Sequence, residues 1–108
     1  MTDIVLLYCT TASTAEAEKI AEAVVGRRLA ACANIIPGMR SLYWWQGKLE
    51  KAEEAVLILK TRPDLVEAAT AAVKAAHSYS VPCVLPIRVG EGGNEDYVSW
   101  LLGETRRD

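Results

Sequence analysis

Three cysteines and a single histidine hold most of the chemistry available to this chain. Cys9, Cys32 and Cys83 supply thiols and His77 an imidazole, a donor set that suits soft ions such as copper or zinc. No Cys-x-x-Cys and no paired histidines are present, so spacing alone gives a metal site little support. Each residue also has a plainer reading. Free cysteine is commonly buried as a small hydrophobe, and a histidine closing a helix can bond the last carbonyls while its charged form suits the dipole. Cys9 with His77 could form a thiolate and imidazole pair. No Gly-x-Ser-x-Gly, His-Glu-x-x-His or phosphate-cradling glycine loop accompanies them, and Gly92-Gly93 ahead of a helix is a weak anion signal. The expectation is a binding protein that is not an enzyme.

The elements that must position these residues are organised around one long hairpin, from Ala31 to Thr61, closing at Trp45-Gln46-Gly47-Lys48. Its first arm carries apolar and aromatic residues suited to a strand, punctuated by Pro37-Gly38, which predicts a bulge. The second ends in Ala55-Val56-Leu57-Ile58-Leu59, the pattern of a strand buried on both faces. At roughly 3.3 Å per residue the hairpin spans about 40 Å, whereas a globule of this length is about 33 Å across. The tip therefore projects with Tyr43, Trp44 and Trp45, three of the seven aromatic residues (three Trp, four Tyr). Left in water, they would form a sizeable apolar patch, so a second copy of the chain is expected to cover them.

Around the hairpin, Ile4 to Tyr8 reads as a central strand bounded by Cys9-Thr10-Thr11. Ser13-Thr14-Ala15-Glu16 is a capping-box pattern opening a helix in which Ala17, Ile20, Ala21, Val24 and Arg28 fall at helical spacing, with its last turn marked by Gly26. Pro63 suits the first turn of a second helix, with Leu65, Ala68, Ala69, Ala72, Val73 and Ala76 as its buried stripe. Val84 to Val89 is a fourth strand, placed at a sheet edge by Pro86. Asn94 caps a short last helix with Tyr97, Val98, Leu101 and Leu102 on its apolar side, and Arg106-Arg107-Asp108 reads as a loose tail. The order β-α-β-β-α-β plus a short helix is the ferredoxin-like α+β arrangement, with strands one and three central and both long helices on one face. Its open face also asks for oligomerisation. This layout puts Cys9, His77 and Cys83 at the hairpin-tip end and Cys32 at the other. A site using both Cys9 and Cys32 is then disfavoured within one chain but available across a subunit boundary.

Composition sets outer bounds. A chain of 108 residues is expected to be one domain with a real core. A net charge of −2 leaves no basic footprint for nucleic acid. No basic n-region precedes Ile4, and no apolar run approaches the roughly 18 residues that cross a bilayer, so no membrane partner is expected and the reading is cytoplasmic. Three cysteines, an odd number lying in apolar sequence, fit reduced thiols.

Several stretches closely resemble the CutA family of divalent-cation tolerance proteins. They are Cys9-Thr10-Thr11-Ala12, Arg28-Leu29-Ala30-Ala31-Cys32-Ala33-Asn34-Ile35-Ile36-Pro37-Gly38, Ser41-Leu42-Tyr43-Trp44-Trp45-Gln46-Gly47-Lys48-Leu49-Glu50, Leu59-Lys60-Thr61 and Asp96-Tyr97-Val98-Ser99-Trp100-Leu101. The resemblance implies a ferredoxin-like domain in tight homotrimers joined through the hairpins. It also implies copper or other divalent ion binding by two cysteines and a histidine matching Cys9, Cys32 and His77. Where the family usually has His-Pro-Tyr-Glu followed by Pro-Glu, this chain has His77-Ser78-Tyr79-Ser80-Val81-Pro82-Cys83, so two carboxylates are gone and a soft donor is added. The competing expectation is a trimeric signalling or adaptor module without a physiological metal, similar to the PII signal-transduction proteins, with a partner protein unidentified. That group places a flexible loop where this chain has the tight Trp45-Gln46-Gly47-Lys48 turn, which argues against it.

Overall fold

A computed structural model describes residues 4–105, and the terminal segments, including the Arg106–Asp108 tail read above, lie outside the described residues. Four strands form one antiparallel sheet in the order β2-β3-β1-β4. They are β1 (Val5–Thr11), β2 (Cys32–Trp45), β3 (Lys48–Thr61) and β4 (Val84–Arg88). Three α-helices accompany them, α1 (Thr14–Gly26), α2 (Val66–Ala76) and α3 (Glu95–Glu104). The central and edge strands are those expected from the crossovers.

Alternation along β1 sets the two faces. Val5, Leu7, Cys9 and Thr11 are buried while the residues between them are half-buried, as a two-residue period requires. The buried set meets Ala55, Leu57 and Leu59 of β3, and Ala17, Ile20, Val24, Ala69 and Val73 of the two long helices complete one core. Buried Ala69 and Ala72 lie on the side of α2 that meets the core, beside α1. The opposite, open face carries Tyr8, Thr10, Glu54, Val56 and Ile58 by register. Exposed Leu85 and Ile87 continue it on the edge strand. α3 is tied to this face where Lys60 Nζ donates to the Tyr97 hydroxyl at 3.1 Å and sits 5.3 Å from the ring centroid.

The hairpin gives the molecule its 44 × 26 × 21 Å shape. Its register slips between Ile36 and Met39, where Gly38 has a φ of 75°, so the Pro37-Gly38 bulge is as expected. Gln46 and Gly47 close the tip with φ of 49° and 80°, the doubly positive pair of a two-residue hairpin turn whose twist matches its strands. Beyond the bulge, Leu42 is 63% exposed, Trp44 73% and Leu49 54%.

Local features differ from the sequence expectation at several points. β1 continues through Thr11 because its pairing with β3 runs on to Ala55, so Cys9 lies inside the strand, opposite Leu57 and Val84. Arg28 does not join the α1 stripe. The Arg28 and Leu29 N–H groups bond back to Val25 and Val24 carbonyls at 2.9 and 3.1 Å, closing the helix with Arg28 at φ 59° and its exposed guanidinium on Glu104. Pro63 opens a 3-10 turn, Pro63–Leu65, ahead of α2. β4 stops at Arg88, after which the Val89 N–H reaches the Ile4 carbonyl at 3.3 Å. Asn94 precedes α3 but makes no side-chain cap; its amide donates to Asp96 at 2.8 Å. Of the apolar side read for α3, only Leu101 is fully covered.

Candidate functional site

The end of the sheet nearest the hairpin tip is held by one carboxylate. Ser13 accepts from the Glu16 N–H at 3.1 Å, half of the expected capping box, and Glu16 Oε1 accepts from the Ala12 N–H at 2.9 Å. Its other oxygen accepts from the Ser78 N–H at 2.8 Å, so the cap of α1 also pins the segment that leaves α2. Burial works against the Glu16 charge, but the Ser78 and Ala12 donors and the nearby His77 together hold its carboxyl below the usual range. A depressed folded pKa contributes stability above the unfolded value of 4.5 and loses it as pH falls through the folded one. Glu16→Gln should therefore cost about 1–2 kcal/mol at pH 7. The gap to the parent should narrow below about pH 4, as read by denaturant unfolding at each pH. A gap that is constant with pH would mean the charge contributes nothing.

His77 follows α2, and its side chain is fully buried. The Tyr79 N–H can only donate, so the Nδ1 it meets at 3.1 Å carries the lone pair. Nε2–H then donates to the Thr10 carbonyl at 2.7 Å. Both ring nitrogens are thus engaged with backbone groups of β1 and of the segment after α2. The sequence expectation that this ring bonds the carbonyls of its own helix is corrected: only the backbone N–H of His77 does so, to Lys74 at 3.4 Å. Strand β1 runs past the helix end, and the ring takes its Thr10 carbonyl instead. The Tyr79 ring packs 4.7 Å from His77 and sends its hydroxyl to Glu54 Oε2 at 2.7 Å.

The three thiols occupy different settings. Cys9 is fully buried on the helix-covered face, and burial, with a contribution from Cys83, pushes its thiol up to about 12. Cys83 lies half-buried with Sγ 3.9 Å from the Tyr8 carbonyl; burial and then Glu54 raise its pKa as well. Cys32 is half-buried and opposite Lys60, whereas Cys9 is opposite Leu57. Three residues along β3 and two strand spacings separate them by about 14 Å, and the odd offset sends their side chains to opposite faces. Cys9, His77 and Cys83 therefore gather at one end of the chain and Cys32 does not, as the topology argument expects. Among the described residues no three His, Cys, Asp or Glu side chains converge as a metal group.

What does converge is a cleft of about 660 Å³ on the open face, lined by Thr10, Tyr43, Trp45, Glu54, Tyr79 and Cys83 among others. Glu54 is 8% exposed. Sequence reading missed it, because Glu50-Lys51-Ala52-Glu53-Glu54 looks like a solvated arm. The available signal was position: Glu54 is the residue at which the buried run Ala55 to Leu59 begins.

An antiparallel sheet in this order, with both long helices on one face and its second and third strands drawn out into a hairpin, defines a ferredoxin-like α+β protein. The chain belongs to the CutA1 divalent ion tolerance protein family, which residues 5–104 match. It is 40% identical to the divalent-cation tolerance protein CutA of Pyrococcus horikoshii over 104 residues, covering 96% of this chain and 100% of that one. It is 41% identical over 102 residues to the chloroplastic protein CutA 1 of Oryza sativa, covering 94% of this chain. The chain spans 57% of that rice protein's length and 56% of its Arabidopsis thaliana counterpart. The crystal structure of CutA1 from Oryza sativa superposes with a TM-score of 0.94 at 39% identity, covering 99% of this chain and 97% of that one. The Thermus thermophilus protein gives 0.91 at 38%, covering 95% and 99%. No described helix is long and apolar enough to cross a membrane.

Proposed function

We propose that the chain acts in divalent-cation tolerance as a cytoplasmic homotrimer. It captures copper or a related soft divalent ion where copies meet, with Cys32 of one copy and the Cys9 and His77 end of another. The observation that carries this reading is the hairpin arm, whose Leu42, Trp44 and Leu49 are exposed on one face and call for a covering copy. The family's name supplies the divalent ion, and thiol with imidazole favours a soft one. The separation of Cys32 from Cys9 and His77 within one chain makes the subunit boundary the place to join them. Three free cysteines suit a reducing compartment. The role is non-catalytic, with His77 committed to the Thr10 carbonyl; burial pushes the Cys9 thiol up to about 12, so ion capture there must also displace its proton. Capture of an ion by His77 requires release of one of its two backbone bonds, which sets a modest affinity.

That same engagement of both His77 nitrogens favours a second reading, a structural or adaptor trimer with no physiological metal. Native mass spectrometry of the reduced protein with one equivalent of copper per chain, beside a Cys32→Ser, His77→Ala variant, separates the two. A trimer that retains copper in the parent and loses it in the variant supports metal handling. A trimer holding no copper moves the assignment to the adaptor, and a monomer sinks both.

A further inference from the structure

The two ring nitrogens of His77 sit in unequal settings, and both settings are fixed within one chain, where the side chain is already fully buried. Nε2–H donates to the Thr10 carbonyl at 2.7 Å, while the Nδ1 lone pair accepts from the Tyr79 N–H at 3.1 Å. The first bond ties the ring to β1, an inner strand that β3 pairs along its whole length. The second ties it to the segment leaving α2, which has no regular structure until β4 begins at Val84. Glu16 Oε2 lies 4.0 Å from Nδ1 and accepts from the Ser78 N–H at 2.8 Å. The carboxylate therefore stands beside Nδ1, on the nitrogen that faces the more yielding segment.

We propose that His77 meets a metal ion through Nδ1, with the Glu16 carboxylate beside it as counter-charge, and keeps Nε2–H on the Thr10 carbonyl throughout. This deepens the metal reading above and rests on it. A histidine that holds a metal almost always donates its other ring N–H to a carboxylate, a backbone carbonyl or water, which fixes the tautomer and the ring orientation. The bond to Thr10 already supplies that support. Capture through Nδ1 needs no proton to move within the ring. It releases only the Tyr79 N–H, the longer of the two bonds. Capture through Nε2 would instead break the shorter bond, draw the ring away from an inner strand and require the proton to pass to Nδ1. A cation brought to a buried ring is costly unless a charge of opposite sign accompanies it, and Glu16 is placed to do so only at Nδ1.

The test is nitrogen NMR of the reduced, assembled protein, isotopically labelled at its single histidine, before and after addition of a spin-active isotope of cadmium(II). Before addition, Nε2 should carry the ring proton and Nδ1 none. With cadmium bound, splitting by the metal should appear on Nδ1 while Nε2 keeps its proton. Glu16→Gln leaves an oxygen for the Ser78 N–H but removes the charge, a change the fold tolerates, and should weaken cadmium binding about tenfold with the splitting still on Nδ1. Splitting on Nε2, or a proton on Nδ1 in the ion-free protein, overturns the proposal and leaves metal capture by His77 standing. Cadmium retained without splitting on either nitrogen, or not retained at all, overturns the proposal and the ligand role of His77 together. Unchanged cadmium affinity in Glu16→Gln overturns the part assigned to the carboxylate.

Discussion

Replacing Leu42, Trp44 and Leu49 together with serine should convert the protein from an assembly to a monomer at micromolar concentration. Trp44 and Leu49 are cross-strand partners, and Leu42 lies on the same face two residues away. Burying each such side chain is worth about 1.5–3 kcal/mol. Removing three from every copy should weaken association by at least a few powers of ten, at about 1.4 kcal/mol for each. The substitutions lie beyond the bulge, clear of the core under the helices, so the monomer should keep its far-ultraviolet circular dichroism. Tyr43 and Trp45, on the cleft side, are untouched. Analytical ultracentrifugation reads the outcome directly, and an unchanged sedimentation coefficient would show that the exposed arm is not an interface.

Leu57→Ala should be the most damaging single change in the core, at about 3–5 kcal/mol. Leu57 is fully buried at the middle of the sheet, paired with Cys9 on one side and Ile35 on the other. Its side chain packs in the core between sheet and helices, where the cavity left by alanine is only partly filled by relaxation. Leu57→Met, which conserves volume, should cost less than about 1.5 kcal/mol. Denaturant midpoints at one fixed protein concentration compare the two, since stability of an oligomer varies with concentration. A loss below about 1 kcal/mol for the alanine variant would mean that the core under β3 repacks freely.

The fold was largely legible because each signal agreed with the next. The apolar run at Ala55 to Leu59 read as a strand buried on both faces, and it is the inner strand β3 with Ile58 half-buried on the open face; Pro86 named the edge, and Pro37-Gly38 named the bulge. What escaped was set by partners distant in sequence. Thr10 and Thr11 extend β1 because β3 is there to pair with them. Arg28 follows the helical spacing of α1 but closes the helix in the left-handed region. At the site, the gathering of Cys9, His77 and Cys83 followed from topology alone. The Glu16, His77 and Tyr79 bonds did not, since capping pattern and histidine are 61 residues apart in sequence (Glu16 to His77) and meet only once α1 and α2 lie side by side. Glu54 was hidden by its charged neighbours, which turn to solvent while it turns into the cleft.

The central claim is that metal capture needs two copies, and mixed assemblies test it most directly. Cys32→Ser and His77→Ala chains, each carrying a different mass tag, are co-expressed and their mixed trimers titrated with copper under reducing conditions. If Cys32 of one copy works with the Cys9 and His77 end of another, mixed trimers regain an intact site and bind copper, while neither pure variant does. Mixed trimers as empty as the pure variants, beside a parent that binds, would contradict a site shared between copies.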